Sequence, residues 1–241
     1  MKVLVFDTYD EMSSAAAEIM ADVIKEKPQC VLGLATGSSP LGVYKNMIEA
    51  YERKEVSFKD VTTFNLDEYK GLDGNHNQSY RYFMNHNLFN YIDINKENTN
   101  VPSGFVSNNL EASLYDKKIA EFGGIDIQLL GLGSDGHIAF NEPGTSFDSL
   151  THITELTEQT IEDNSRFFEK KEDVPTEAVT MGLKSIMNAK MIVLVAIGKN
   201  KAYAVNELIN GKIDEKMPCT ILQKHPNVHI YVDKEIDLNN K

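Results

Sequence analysis

The sequence predicts an α/β fold, a mainly parallel sheet with helices on both faces. Three observations carry that prediction. Strand-length segments rich in apolar residues recur at residues 30–35, 125–130 and 190–197, and strands covered on both faces read as near-continuous rather than strictly alternating apolar runs. Longer stretches with helical spacing separate them, the alternation expected of helical crossovers. Hydrophobic residues make up 41% of the 241 and charged residues 25%, enough apolar material for one sizeable core. A single domain over 1–241 is therefore the simplest organisation.

Residues 2–6 read as the first strand. Thr8 with Glu11 three positions on forms a capping box, and a helical pattern runs to about Lys27, stopped by Pro28. Residues 30–35 are a buried strand. Ser39-Pro40 opens the next helix, with serine predicted as N-cap and proline at the first helical position. Residues 61–64 are β-branched and aromatic, hence strand. Helices are expected near 79–89 and 110–122, a strand at 125–130, a short strand at 153–156 and a helix at 160–168. Residues 190–197 form the strongest buried strand, 200–209 the helix after it, and 228–232 the strand that closes the sheet.

The bulk charge narrows the partners. A net charge of −12 disfavours nucleic acid and anionic membrane surfaces. No apolar run reaches the ~18–20 residues that span a bilayer, and residues 1–7 are too short an apolar segment for a signal peptide. A cytoplasmic location is the expectation. Cys30 reads as a core residue and Cys219 as buried or a loop thiol; their spacing is not that of a metal motif.

Three loops at strand ends carry the chemistry, where open α/β sheets place their ligands. After strand 125–130 comes Gly131-Leu132-Gly133-Ser134-Asp135-Gly136-His137, continuing to Asn141-Glu142-Pro143. The glycines permit a tight turn, loaded with Asp135, His137 and Glu142. A carboxylate beside a histidine sets its tautomer and tunes it for proton transfer near neutral pH. Pro143 and Gly144 argue against the helix that a dinucleotide fingerprint would require there. After strand 30–35, Thr36-Gly37-Ser38-Ser39 combines a glycine turn, hydroxyl donors and a helix N-terminus, the elements of a phosphate site. Lacking Gly-Lys-Ser/Thr, it suits a monophosphate on a small molecule. After strand 61–64, Asp67 and Glu68 are adjacent carboxylates in an expected turn; one can enter the site while the other binds backbone. Arg166, flanked by aromatics, and Lys201, at a helix start where it opposes the dipole, are candidate anion partners. The charged segment 169–175 reads as a solvated loop or as the hinge of a lid within 156–178.

Taken in order, Leu34-Ala35-Thr36-Gly37-Ser38-Ser39-Pro40, Thr63-Phe64-Asn65-Leu66-Asp67-Glu68-Tyr69, residues 131–143, Asn164-Ser165-Arg166-Phe167-Phe168 and Ile221-Leu222-Gln223-Lys224-His225-Pro226 resemble the glucosamine-6-phosphate deaminase family. That family sits within the wider sugar-phosphate isomerase and 6-phosphogluconolactonase group. The resemblance implies a Rossmann-like doubly wound fold of about seven strands. It also implies conversion of glucosamine 6-phosphate and water to fructose 6-phosphate and ammonia, with no metal or other cofactor. It gives His137 ring opening, Asp135 and Glu142 the orientation of His137, and Asp67 the C2 proton. It gives Thr36, Gly37, Ser38, Ser39, Arg166 and Lys201 the 6-phosphate, with Glu68 and Gly136 also at the substrate site.

The resemblance has a departure. Members regulated by N-acetylglucosamine 6-phosphate carry basic residues after the Asn-Glu-Pro motif and a longer C-terminus. Here the stretch is Ser149-Leu150-Thr151-His152-Ile153-Thr154-Glu155, and the chain stops at Lys241. A non-allosteric monomer or small homo-oligomer is expected. A 6-phosphogluconolactonase would continue the Asp-Gly-His turn differently and has no task for Asp67. A non-catalytic sugar-phosphate sensor would lose the acid–base set and carry a DNA-binding module, for which a first strand at residue 2 leaves no room.

Overall fold

The computed structural model describes residues 1–165, 168 and 170–238. In chain order the elements are β1 (Lys2–Phe6), α1 (Tyr9–Glu26), β2 (Val31–Leu34), α2 (Leu41–Glu52), β3 (Thr62–Asn65), β4 (Asp67–Tyr69), α3 (Tyr80–Met84), β5 (Thr99–Asn100), α4 (Asn109–Ala112) and α5 (Leu114–Glu121). They continue with β6 (Ile127–Leu130), β7 (His152–Glu155), α6 (Glu158–Ser165), β8 (Glu177–Thr180), α7 (Leu183–Met187), β9 (Ile192–Ala196), α8 (Ala202–Asn210) and β10 (Val228–Asp233).

Seven strands form one parallel sheet in the order β1-β10-β9-β6-β2-β3-β5. Strand alternation builds its two cores. Leu32, Leu34, Ile127, Leu129, Val193 and Val195 face α1 and α2, against Met12, Met20, Tyr44 and Met47. Val31, Leu130, Ile192 and Leu194 face the other way, against Leu183, Ile186, Ala204 and Leu208. The predicted fold class therefore stands. β10 does not close the sheet, however: it lies one strand in, and β1 forms the edge.

The order also fixes where a ligand can sit. From β2 the chain moves to β3 on one side; from β6 it moves to β9 on the other, and β2 and β6 are neighbours. That reversal leaves a crevice at the carboxyl ends of β2 and β6, flanked by the 36–39 and 131–137 loops.

Three local expectations are corrected. Residues 67–69 are not a turn. They are β4, which pairs antiparallel with β8, and β8 with β7, in a second three-stranded sheet. The chain leaves the first sheet at Leu66, whose N–H still donates to Leu34 O (3.2 Å) while its carbonyl accepts from Met181 N (2.7 Å). Ser39 is not the N-cap of α2. The helix begins after Pro40 with no side-chain cap. Tyr9 takes over that work: its hydroxyl donates to Ser39 O (3.0 Å) and accepts from Gly42 N (2.7 Å). The helix expected at 160–168 is present but begins earlier, at Glu158, and runs through Ser165; residues 166 and 167 lie outside the described residues. The Thr8–Glu11 capping box is present as predicted.

Candidate active site

A cleft of about 230 Å³ opens at the switch point, lined by Thr36, Gly37, Ser38 and Ser39 together with Asp67, Ser134 and His137. It is smaller than the ~300–1,000 Å³ typical of drug-sized ligands, as suits a small polar metabolite. Lys201 also lines it, at the N-terminal boundary of α8. Arg166 lies outside the described residues.

The phosphate-type end is built by backbone. Gly37 has φ +89°, left-handed geometry that glycine adopts without steric cost. The turn brings Thr36, Ser38 and Ser39 to the cleft beside Lys201. Tyr9 ties the carbonyls of Ser38 and Ser39 to α1, so the loop is fixed from below.

The acid–base end is built by three elements. β4 carries Asp67 and Glu68 on successive positions, so their side chains diverge. Asp67 lines the cleft, is 6% exposed, and accepts no hydrogen bond among the described residues. Burial first, and then the neighbouring charge of Glu68, push its carboxyl up to about 8, with His137 pulling the other way. Glu68 turns away. Its carboxylate accepts from the backbone N–H groups of Tyr69 (2.9 Å), Tyr80 (2.8 Å) and Arg81 (3.0 Å), closing off the N-terminus of α3. Glu68 is not among the residues that line the cleft; its carboxylate is tied to the backbone of β4 and α3.

His137 sits between two carboxylates. Its Nδ1 lies 2.8 Å from Asp135 Oδ1 and 3.5 Å from Glu142 Oε2. These are ion-pair distances; neither oxygen is aligned on the ring N–H direction as a hydrogen bond requires. Asp135 also accepts from the His137 backbone N–H at 3.2 Å. Burial opposes the imidazolium, but the two carboxylates outweigh it and hold His137 at about 9. Burial likewise opposes the Asp135 charge, yet His137 holds that carboxyl down at about 2. Because Nδ1 is fully buried, Nε2 is the nitrogen left for the cleft.

Two glycines make this packing possible. A Cβ on Gly133 would fall 2.5 Å from the His137 ring, so the ring lies directly on bare backbone. Gly136 has φ +86°, and a Cβ there would meet Met217 Sδ at 2.0 Å. Gly136 is not among the residues that line the cleft; its left-handed backbone shapes the turn that carries His137. Ala139 holds φ +53° at the cleft wall, a conformation that costs a non-glycine residue ~1–2 kcal/mol.

Among the described residues, one group of acids and histidines has metal-like proximity, namely Asp135, His137 and Glu142, with ligand atoms within 4.8 Å of one another. Both carboxylates face the same ring nitrogen, which carries a proton up to about pH 9.

Sequence reasoning missed Thr160, Tyr80 and Phe140. Thr160 is buried against the cleft and donates to Glu142 Oε1 at 2.6 Å. Tyr80 and Phe140 stack at 6.0 Å and 13° beside it, forming the apolar wall. A helix threonine reads as ordinary polar surface, and no local signal marks it. Conversely, Gln223 and His225 of the 221–226 motif do not reach the cleft. Gln223 donates to Gly211 O (2.9 Å) and His225 Nε2 pairs with Ala189 O (2.7 Å), which locks the scaffold behind the site.

A doubly wound sheet whose glycine turn and buried acid–base cluster line one cleft at the switch point is the framework of a proton-transfer enzyme. The chain belongs to the glucosamine-6-phosphate isomerase/6-phosphogluconolactonase family, whose model matches residues 7–230. It is 55% identical over 236 residues to the glucosamine-6-phosphate deaminase of Thermoanaerobacter pseudethanolicus, covering 98% of this chain and 93% of the relative. It is 55% identical over 234 residues to that of Mycoplasma mycoides subsp. mycoides SC, covering 97% and 95%. A solved monomeric glucosamine-6-phosphate deaminase superposes with a TM-score of 0.95 at 44% identity, covering 98% of both chains. A 6-phosphogluconolactonase from Trypanosoma cruzi matches with a TM-score of 0.79 at 22% identity, covering 99% of this chain and 96% of the other, a likeness of fold alone.

Proposed function

We propose that the protein is a glucosamine-6-phosphate deaminase, converting glucosamine 6-phosphate and water to fructose 6-phosphate and ammonia. The observation that carries this reading is a buried Asp67, accepting no hydrogen bond among the described residues, in one cleft with His137 and the 36–39 loop. Aldose–ketose chemistry needs a single carboxylate moving a proton between adjacent carbons, and lactone hydrolysis does not. The relatives named above support the same choice.

In the proposed mechanism, Thr36, Gly37, Ser38, Ser39, Lys201 and Arg166 hold the 6-phosphate, which positions the sugar's reacting end near Asp67. The His137 imidazolium gives a proton to the ring oxygen and takes the O1 proton back, opening the ring to the aldehyde. Asp135 and Glu142 stabilise the imidazolium. Ionised Asp67 removes the C2 proton to give an enolamine and returns it at C1, leaving a ketose imine. Water adds at C2 and ammonia departs. The substrate's 2-ammonium favours ionisation of Asp67 by supplying the missing counter-charge in a low-dielectric site. The reading needs no cofactor or metal.

A lid is proposed within residues 156–178, since Thr160 lines the cleft. The enzyme is proposed to be a cytoplasmic, non-allosteric monomer or small homo-oligomer. The described residues include no helix long and apolar enough to cross a membrane. The test is ammonia and fructose 6-phosphate release from glucosamine 6-phosphate by wild type and Asp67→Asn, with 6-phosphogluconolactone as counter-substrate. Wild-type deamination lost in the variant is expected. Lactone hydrolysis without ammonia from a folded protein would overturn the reading.

A further inference from the structure

We propose that Thr160 is a positioning residue for the reaction, coupling α6 to the imidazole of His137 through the carboxylate of Glu142. Three hydroxyl and carboxyl groups form a directed chain. The Thr157 hydroxyl donates to Thr160 Oγ1 at 2.9 Å, and the Thr160 hydroxyl donates to Glu142 Oε1 at 2.6 Å. The other oxygen of that carboxylate is the one facing His137 Nδ1 at 3.5 Å.

The bond inventory fixes the direction. A hydroxyl has one proton to give. Thr160 spends its proton on Glu142 and accepts from Thr157, while Thr157 Oγ1 in turn accepts from the Thr160 backbone N–H at 3.2 Å. The arrangement is therefore tied to the first turn of α6, and a shift of that turn moves the hydroxyl. Thr160 is 7% exposed and Glu142 8%, so water does not readily replace the bond. Removing it leaves a buried carboxylate oxygen without its donor, and the carboxylate then turns from His137 to find another. Asp135 remains as the closer anion, which limits the effect. Among the described residues, the other ionisable groups near the imidazole are Asp67 and Lys201 in the cleft and the Cys219 thiol beneath the turn. None of them can take the place of Glu142 at the buried Nδ1.

The inference rests on the deaminase reading for its kinetics but not for its spectroscopy. The experiment compares Thr160→Val, which keeps shape and deletes the hydroxyl, with Thr160→Ser, which keeps the hydroxyl. The readouts are kcat, KM, the pH profile of kcat/KM, and the titration of the His137 ring protons followed by NMR. In Thr160→Val we expect kcat to fall about tenfold with KM changed less than threefold, and the His137 titration to move to lower pH. Thr160→Ser restores both. A His137 titration in Thr160→Val that matches wild type overturns the proposal, as does a Thr160→Ser as impaired as the valine variant, which would indicate packing alone. If Thr160→Val does not fold, Thr160→Ala, a better helix former, carries the same comparison. A wild type that releases no ammonia defeats the deaminase reading and leaves the NMR comparison to decide the coupling.

Discussion

Asp67→Asn should raise the stability of the protein while abolishing its activity, and the gain should grow with pH. The carboxyl is buried without a hydrogen bond, and its pKa rises from the ordinary 3.8 to about 8. The sign follows directly. The folded state keeps a proton that the unfolded chain releases above roughly pH 4, so wild-type stability falls from there to about pH 8 and then levels. At ~1.4 kcal/mol per pH unit the full penalty is roughly 6 kcal/mol, a ceiling that relaxation of the site will lower. Between pH 5 and pH 9 about 4 kcal/mol of it develops. For a chain of this size, ~2–4 °C per kcal/mol makes that on the order of 10 °C. Asparagine keeps the shape and has nothing to ionise. Melting curves of wild type and variant from pH 5 to 9 should therefore diverge as pH rises. His137, raised to about 9, contributes stability that is full below about pH 6.5 and lost as pH rises through 9. It titrates in both proteins, so the difference between the curves reports chiefly Asp67. The same variant should lose roughly 10³-fold or more in kcat, the scale of a missing general base. A melting difference that stays constant across the range would show that Asp67 ionises normally and would refute the buried-base argument.

The other predictions address the rest of the site. Asp135→Asn removes the nearer anion from His137, and the imidazole should titrate roughly one to two pH units lower by NMR, drawing the alkaline limb of kcat/KM with it; an unmoved titration would mean that Glu142 alone holds the proton. Lys201→Ala should raise KM for a phosphorylated substrate roughly 10- to 100-fold, the worth of a charged hydrogen bond, and weaken inhibition by inorganic phosphate in parallel; unchanged inhibition would place the phosphate elsewhere. Gly136→Ala puts a methyl on Met217 at φ +86° and should destabilise by ~2–4 kcal/mol in a denaturant melt. Glu68→Gln should cost ~1–2 kcal/mol of stability through the α3 N-terminus and change kcat far less than Asp67→Asn does.

The sequence was most legible where backbone conformation and side-chain chemistry coincide. Gly37 between hydroxyl residues after a buried strand announces an anion turn, and the structure places Thr36, Ser38 and Ser39 in the cleft. The density of ionisable groups at Asp135, His137 and Glu142 announces proton transfer, and the structure brings them together. The parallel sheet was legible because β2 and β9 are continuous apolar runs and β6 nearly so; the two-residue β5, Thr99–Asn100, carries no such signal. The second sheet was not. β4 is Asp67-Glu68-Tyr69 and β8 is Glu177–Thr180, too short and too polar to show a period of two, and their pairing is decided by contacts across more than a hundred residues. Ser39 misled for a related reason: the sequence offers a cap, but the hydroxyl that binds Gly42 comes from Tyr9, thirty-three positions away. Thr160 was invisible because its importance lies in Glu142, on another loop.

Asp67 and His137 explain each other. A buried carboxylate with no donor is costly to ionise, and an imidazolium between two carboxylates is costly to neutralise. With no further cation beside Asp67, its carboxyl is therefore protonated below about pH 8 and His137 is charged below about pH 9. In this state His137 is ready to donate to a ring oxygen, while Asp67 is not yet a base. An amino-sugar ammonium changes the second condition and leaves the first, because it adds a cation beside Asp67 while Asp135 and Glu142 keep His137 charged. The base would thus be generated by the substrate that needs it. A hexose phosphate of the same shape with a hydroxyl at C2 would fill the cleft without ionising Asp67. Such an analogue should inhibit competitively and show no exchange of its C2 proton with solvent deuterium at pH 7, while glucosamine 6-phosphate exchanges. Exchange from the hydroxyl analogue at a comparable rate would mean that Asp67 is already ionised in the empty cleft, and that its burial is a matter of folding rather than of selection.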